Sequence, residues 1–208
     1  QNKHHAYDVY THTTTAVDAI DKSKPLIRYA ALFHDLGKYT SRKLEDGDFT
    51  FHNHEKDSVM IAEKIMTRLR FSTNDIKYVL NLIQHHMFRC SNEMKDSAIR
   101  RFVASLGKEY VDDLVILKYG DRVGNGTKSV TELNISHTLL KRRFEEILKE
   151  EASFKVKDLA VSGSDVMSVK NILAGPEIGR ILKHLFELVL DDPSKNNRET
   201  LIKEITSA

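Results

Sequence analysis

The 208-residue sequence contains little cysteine, proline or glycine, and no tryptophan. Its single cysteine, Cys90, excludes an internal disulfide and is typical of a reducing compartment, so we expect a cytoplasmic location. No secretory signal is evident, and no apolar run approaches the ~20 residues that a membrane span requires. The sequence therefore gives no reason to expect a membrane partner.

The sequence also lacks a large excess of charge of one sign. Its formal net charge is +2, so any nucleic-acid site must be a local patch. The basic residues that could build such a patch fall into four clusters: Arg68 with Arg70, Arg100 with Arg101, Lys141, Arg142 and Arg143, and Arg180 with Lys183. The alternative is that these residues are spread over solvated helix faces and are balanced by nearby glutamates.

Apolar residues recur at three- and four-residue spacing along most of the chain, which predicts an all-α fold. The low content of proline and glycine favours the same conclusion. The predicted helices are 7–21, 25–34, 54–70, 73–86, 97–106, 108–122, 131–149, 165–173, 176–191 and 198–205.

Three segments interrupt the helical pattern. Residues 39–53 contain a DG turn between short alternating runs, which indicates either a small hairpin or an irregular loop. Residues 120–130 are rich in Gly, Asn and Ser and are predicted to form a loop after a helix. The pattern lapses again at 151–163. We therefore expect a helical bundle over 1–151 and a smaller helical subdomain over 152–208.

The chain is rich in histidine, with ten such residues. An ordered set of histidines and aspartates lies at or near the ends of predicted helices, where side chains from different helices can converge: His12, His34, Asp35, His54, His85, His86 and Asp121. The alternative, a packed or surface histidine without a ligand, is preferred for His52, His137 and His184.

Imidazole and carboxylate groups together suit a divalent transition metal, whereas a site dominated by oxygen would suit Mg²⁺. We therefore expect one or two ions of Mn, Fe, Ni, Co or Zn, with Mg as the alternative. Such ions activate water and polarise phosphoryl oxygens, so the site could act on a phosphate ester or a nucleotide.

The stretch "FHDLGK" at 33–38 resembles the signature of the HD superfamily of metal-dependent phosphohydrolases. The order H…HD…H…HH…D around it resembles the fuller form of that signature. The resemblance implies that His12, His34, Asp35 and Asp121 bind one metal. It implicates His54 in a second ion, together with His85, His86 or both.

The same resemblance implies hydrolysis of a phosphomonoester or a 2′,3′-cyclic phosphodiester by water that the metal activates. His34 and Asp35 would be the central catalytic residues, and one of His85 and His86 would act as an acid or balance the charge of the substrate. Lys38 is a candidate phosphate contact. Its alternative role is that of a lysine at a helix C-terminus, interacting with the helix dipole.

Further stretches, "HHAYDVYTHT", "FHNHEKDSV" and "GDRVGNG", resemble the HD region of bacterial tRNA nucleotidyltransferases. The segment from "LAVSGSD" to "LIKEI" resembles the tRNA-contacting region that follows it. This resemblance implies tRNA as a partner and phosphate contacts from Lys141, Arg142 and Arg143. Two residues depart from the family pattern: Asn53 stands where relatives usually carry glycine, and Gly120 where alanine is more usual.

A nucleotidyltransferase head, marked by a Gly-Gly phosphate loop and paired aspartates, is not found in the sequence. We expect either such a head upstream of Gln1 in a parent chain or a stand-alone descendant of the body. The alternative function is therefore a non-catalytic tRNA-binding body of a CCA-adding enzyme.

Overall fold

The computed structural model describes residues 7–45, 47–89, 94–149 and 155–207. Its elements are, in chain order, α1 (Val9–Asp18), α2 (Pro25–Phe33), α3 (Lys38–Ser41), β1 (Lys43–Glu45), β2 (Asp48–Thr50), α4 (His54–Arg68), α5 (Thr73–His85), α6 (Asp96–Leu106), α7 (Val111–Asn125), α8 (Val130–Lys149), α9 (Gly163–Lys170), α10 (Pro176–Asp191) and α11 (Arg198–Ser207). The all-α prediction is confirmed. Cys90 lies outside the described residues.

The segment 39–53 begins with the short α3 and contains a small antiparallel hairpin, so the first of its two predicted alternatives is correct. Strands β1 and β2 pair Leu44 with Phe49, and Gly47 takes a positive φ of 84° in the turn. The Arg42 guanidinium lies over the Phe49 ring, 4.4 Å from its centroid. This contact joins the residue before β1 to β2.

The loop predicted at 120–130 starts later than expected, because α7 continues to Asn125 and only residues 126–129 separate it from α8. Glycine disfavours a helix interior, but tertiary packing outweighs that preference here. A Cβ at Gly120 would lie 2.7 Å from the carbonyl oxygen of Ala16, and a Cβ at Gly124 would lie 2.6 Å from that of His12. The two glycines therefore let α7 approach α1 closely, and they place Asp121 on a helix.

The chain divides into two compact units. The first comprises Gln1–Arg89 and Glu109–Arg142, and the second comprises Cys90–Lys108 and Arg143–Ala208. The predicted domain boundary between 151 and 152 stays a prediction. Among the described residues, none of the helices combines the length and the apolar character that a membrane crossing requires.

The core of the first unit is built around α2, which packs against α1, α4, α5 and α7. Its buried apolar side chains include Ile27, Met66, Leu82 and Leu114. Because α2 is central, the residues at its C-terminal end are surrounded by the other helices.

The core of the second unit is formed where α10 packs against α6 and α9, with α11 packing on α9. Val166, Leu185, Val189 and Leu201 are buried there. Gly179 on α10 has open space beside it, because a Cβ at this position would meet nothing within 4 Å.

Candidate metal centre

Three histidine rings are oriented by hydrogen bonds from Nδ1 to a backbone carbonyl three residues earlier. A carbonyl only accepts, so each Nδ1 carries a proton and each Nε2 of a neutral ring offers a lone pair on the opposite side. The three pairs are His34 Nδ1 with Ala31 O at 2.7 Å, His54 Nδ1 with Phe51 O at 2.9 Å, and His86 Nδ1 with Ile83 O at 2.7 Å.

A first group of donor atoms comes from α1, the end of α2 and α7. His12 Nε2 lies 3.1 Å from His34 Nε2 and 3.2 Å from Asp35 Oδ2. Asp121 Oδ1 lies 3.4 Å from both of these imidazole Nε2 atoms. His34 Nε2 is also 3.3 Å from Asp35 Oδ2. Four of the predicted residues therefore converge on one point.

A second group shares Asp35 with the first. Its other carboxylate oxygen, Oδ1, lies 3.2 Å from His54 Nε2 and 4.0 Å from His86 Nε2. The Nε2 atoms of His54 and His86 are 3.3 Å apart. Asp35 thus faces one cluster with each oxygen, and the rings of His12, His34, His54 and His86 are all buried.

These separations fit coordination of a cation. Metal–nitrogen bonds of about 2.0–2.1 Å place neighbouring ligands about 2.8–3.0 Å apart in octahedral geometry and about 3.3–3.4 Å apart in tetrahedral geometry. Without a cation or a proton, lone pairs of imidazole and carboxylate would face one another across these gaps. The two clusters could therefore each hold a metal ion, and their mixed nitrogen and oxygen donors suit a divalent transition metal.

Burial and the charges of neighbouring side chains shift the pKa values of the groups in the metal-free centre. Burial lowers the pKa of the His34 imidazole, but the charges of Asp35 and Asp121 outweigh this effect and raise it to about 10. Burial favours the neutral form of Asp35, yet the charge of His34 holds its pKa well below the usual range. Burial and the charge of His34 lower the pKa of His86 to about 3. The centre therefore holds its carboxylates ionised and His86 neutral.

Two predicted residues lie beside the clusters rather than in them. Lys38 is buried, and its Nζ donates to Asp35 Oδ2 at 2.6 Å. His85 is half-buried and belongs to neither cluster, and its Nδ1 bonds back to the carbonyl oxygen of Asn81 at 2.9 Å. Its role as a ligand or an acid stays a prediction.

A cavity of about 410 Å³ opens onto the centre, with Asp35, His54, His86 and Asp121 in its lining. Sequence reasoning missed further lining residues, including Thr50, Arg89 and Asn125. Asn125 follows Asp121 by four positions, which places both side chains on one helix face. The spacing could have revealed it, had the segment been predicted as helix.

The basic residues predicted to contact RNA have different surroundings. Lys141 and Arg142 are exposed on α8. Arg143 forms an ion pair with Asp96 and lies 3.8 Å from Glu146.

Two residues of another basic cluster are engaged with α10. The Arg100 guanidinium is buried and donates to the carbonyl oxygen of Leu190 at 2.8 Å, and Arg101 forms ion pairs with Glu187 and Asp191 at 2.8 Å each. Both arginines therefore already have partners within the second unit.

Comparison with known proteins supports the interpretation of the site. The chain is 29% identical over 194 residues to an A-adding tRNA nucleotidyltransferase of Deinococcus radiodurans, covering 90% of this chain and 44% of the relative. It is 36% identical over 162 residues to a CC-adding tRNA nucleotidyltransferase of Thermus thermophilus, covering 77% of this chain and 35% of the relative. The chain thus spans less than half the length of these curated relatives, and no solved structure matches it significantly.

The resemblance to tRNA nucleotidyltransferases is confirmed over most of the chain. The HD domain family matches residues 3–126, which include all the histidines and aspartates of both clusters. With this match and the converging donors of the first unit, the chain belongs to the HD domain family.

Proposed function

We propose that this HD domain is a metal-dependent phosphohydrolase that acts on a phosphomonoester or a 2′,3′-cyclic phosphodiester. One observation carries the proposal: imidazole Nε2 and carboxylate oxygen atoms from five separate segments lie 3.1–3.4 Å apart, and Asp35, His54, His86 and Asp121 among them line a cavity. His12, His34, Asp35 and Asp121 would hold one divalent cation. His54 and His86 would hold a second, with Asp35 shared between the two.

A divalent cation bound here would polarise a phosphoryl oxygen and lower the pKa of water towards ~7. Lys38 and Arg89 line the same cavity and offer donors to the remaining phosphate oxygens. His85 Nδ1 is bonded to a carbonyl, so any proton that His85 gives to a leaving group must come from Nε2.

The test compares hydrolysis of p-nitrophenyl phosphate and bis-p-nitrophenyl phosphate by the Mn²⁺-loaded protein and by the His34→Ala and Asp35→Ala variants. We expect both variants to lose at least about a hundredfold in rate, because each removes a donor from the shared centre. His184→Ala is the matched control, since His184 is exposed on α10 in the second unit.

Two outcomes would contradict the proposal. One is a metal-loaded wild-type protein that hydrolyses neither ester faster than His34→Ala does. The other is equal loss of activity in His184→Ala, which would show that the loss does not report on the metal centre.

A second candidate function, binding of tRNA, is favoured by one further observation. The similarity to the A-adding relative covers 90% of the chain and thus extends well beyond the HD domain match at 3–126. We propose that Lys141 and Arg142, which are exposed on α8, contact the phosphate backbone. Such contacts make affinity dependent on salt.

The test of this second function is the affinity for tRNA at several salt concentrations. We expect the Lys141→Ala, Arg142→Ala double variant to bind more weakly, and the slope of log affinity against log salt to fall by about one for each phosphate that is no longer neutralised. The control, Lys64→Ala with Lys77→Ala, removes two exposed charges from α4 and α5. Equal affinities of wild type and both double variants would exclude this surface.

A further inference from the structure

Two polar side-chain atoms of residues that line the cavity belong to neither cluster of the metal centre. The Oγ1 atom of Thr50 and the Oδ1 atom of Asn125 are buried and have no hydrogen-bond partner among the described residues. Both residues line the cavity. Buried polar atoms in proteins are nearly always hydrogen-bonded, so two exceptions beside one cavity indicate a missing polar partner.

The positions of these residues relate them to the metal centre. Asn125 lies one helical turn beyond Asp121 on α7, about 6 Å along the axis at 1.5 Å per residue. Thr50 ends β2 and immediately precedes Phe51, whose carbonyl orients the His54 ring. The two polar atoms therefore come from segments that also place ligands of the centre.

The charges around the cavity indicate what the missing partner is. Asn125 Oδ1 only accepts hydrogen bonds, and the carboxylates of Asp35 and Asp121 line the same space. An anion beside these oxygens would be repelled. The anionic phosphate of a substrate would instead find hydrogen-bond donors at Lys38 and Arg89. A neutral hydrogen-bond donor suits the pair, and a hydroxyl group also satisfies Thr50.

We propose that Thr50 and Asn125 form a hydroxyl-recognition subsite of this enzyme. Among phosphomonoesters, it selects those that carry a free hydroxyl on the carbon next to the ester carbon. The inference rests on the proposed phosphohydrolase function. Thr50 and Asn125 share the lining of the cavity of about 410 Å³ with Asp35 and Asp121, so we expect the recognised group close to the phosphate.

The experiment uses the metal-loaded protein and two pairs of esters that differ in this hydroxyl. The first pair is 3′-AMP and its 2′-deoxy analogue, and the second is glycerol 2-phosphate and isopropyl phosphate. We expect kcat/KM to favour the hydroxyl-bearing member by about twofold to tenfold, the worth of one neutral hydrogen bond. Preference in the first pair alone identifies a nucleoside phosphate, and preference in the second pair shows that a simple polyol phosphate suffices.

The Asn125→Ala and Thr50→Val variants should each bring this ratio close to one while hydrolysis of p-nitrophenyl phosphate, which lacks the hydroxyl, is retained. Asn74→Ala, an exposed position on α5, is the matched control and should keep the ratio. If Asn125→Ala fails to fold, Thr50→Val alone tests the subsite, because valine keeps the shape of threonine without its hydroxyl.

The failure of this inference is distinct from the failure of the proposed function. The subsite is overturned if the kcat/KM ratio of the wild type is one in both pairs of esters, even when p-nitrophenyl phosphate is hydrolysed. It is also overturned if the folded variants keep the wild-type ratio. If the protein hydrolyses nothing, the dissociation constants of the two esters in each pair are compared instead. Equal binding within both pairs then overturns the subsite as well.

Discussion

The Nε2 atoms of His54 and His86 lie 3.3 Å apart, and each ring donates its Nδ1 proton to a backbone carbonyl. Neither neutral ring can then donate to the other. The low pKa of His86, about 3, keeps that ring without a second proton at neutral pH. A bound cation or a further proton would resolve this conflict, and the pair is the observation that most favours the proposed second metal position.

The two-cluster arrangement predicts different metal contents for different variants. Asp35→Ala should bind no ion tightly, because Asp35 belongs to both clusters. His54→Ala should lose one ion and keep the other. Elemental analysis after dialysis measures the ratio of metal to protein, with His184→Ala as the control. Equal metal content in wild type and Asp35→Ala would contradict the shared centre.

Metal affinity should rise with pH. The pKa of His34 in the metal-free protein is about 10, so its ring is protonated at neutral pH and the metal must displace that proton. Between pH 7 and 9 the apparent affinity should therefore increase by about tenfold per unit. His86, with a pKa of about 3, releases no proton.

Calorimetric titration in buffers of different ionisation enthalpy measures this proton release directly. We expect about one proton from His34 for each ion that enters the first cluster. Binding without proton release, together with an affinity that stays constant from pH 7 to 9, would contradict the raised pKa of His34.

Gly124→Ala should destabilise the fold by about 1–3 kcal/mol. The added Cβ would lie 2.6 Å from the carbonyl oxygen of His12, so α1 and α7 must move apart and carry His12 and Asp121 with them. Gly179→Ala is the control: its Cβ meets nothing within 4 Å, and the change should stabilise α10 by about 0.5–1 kcal/mol. Urea unfolding measures both, and equal effects would refute the close helix packing.

Asn53 has a φ of 60°, in the left-handed region. Asn53→Ala should therefore cost about 1–2 kcal/mol, because an ordinary side chain clashes with the backbone there. Asn53→Gly should be at least as stable as wild type, since glycine adopts this conformation without strain. Thermal unfolding of the two variants measures their order of stability. Greater stability of the alanine variant would contradict a left-handed conformation at Asn53.

This left-handed conformation also explains a departure seen in the sequence. Asparagine is one of the few residues other than glycine that tolerate a positive φ, so Asn53 can stand where the family resemblance implies a glycine. The resemblance marked the position as unusual, but only the backbone geometry shows why the change is tolerated.

Local patterns were enough to predict most helices, because apolar periodicity reports directly on a buried face. They failed at residues 120–125, where glycine and asparagine favour a loop and the packing against α1 favours helix. That packing joins residues more than a hundred positions apart, so no local pattern contains it. The same failure hid Asn125, which becomes a neighbour of Asp121 only on a continuous helix.

The sequence by itself determined the helical class, the order of the histidines and aspartates, and the chemistry that such donors support. Tertiary structure alone decided that His86 rather than His85 joins the second cluster, that Asp35 serves both clusters, and that Lys38 binds Asp35. The physical reason is that residue type fixes which atoms can donate or accept. Which of those atoms meet depends on the direction of each side chain, which is set by the packing of α1, α4, α5 and α7 around α2.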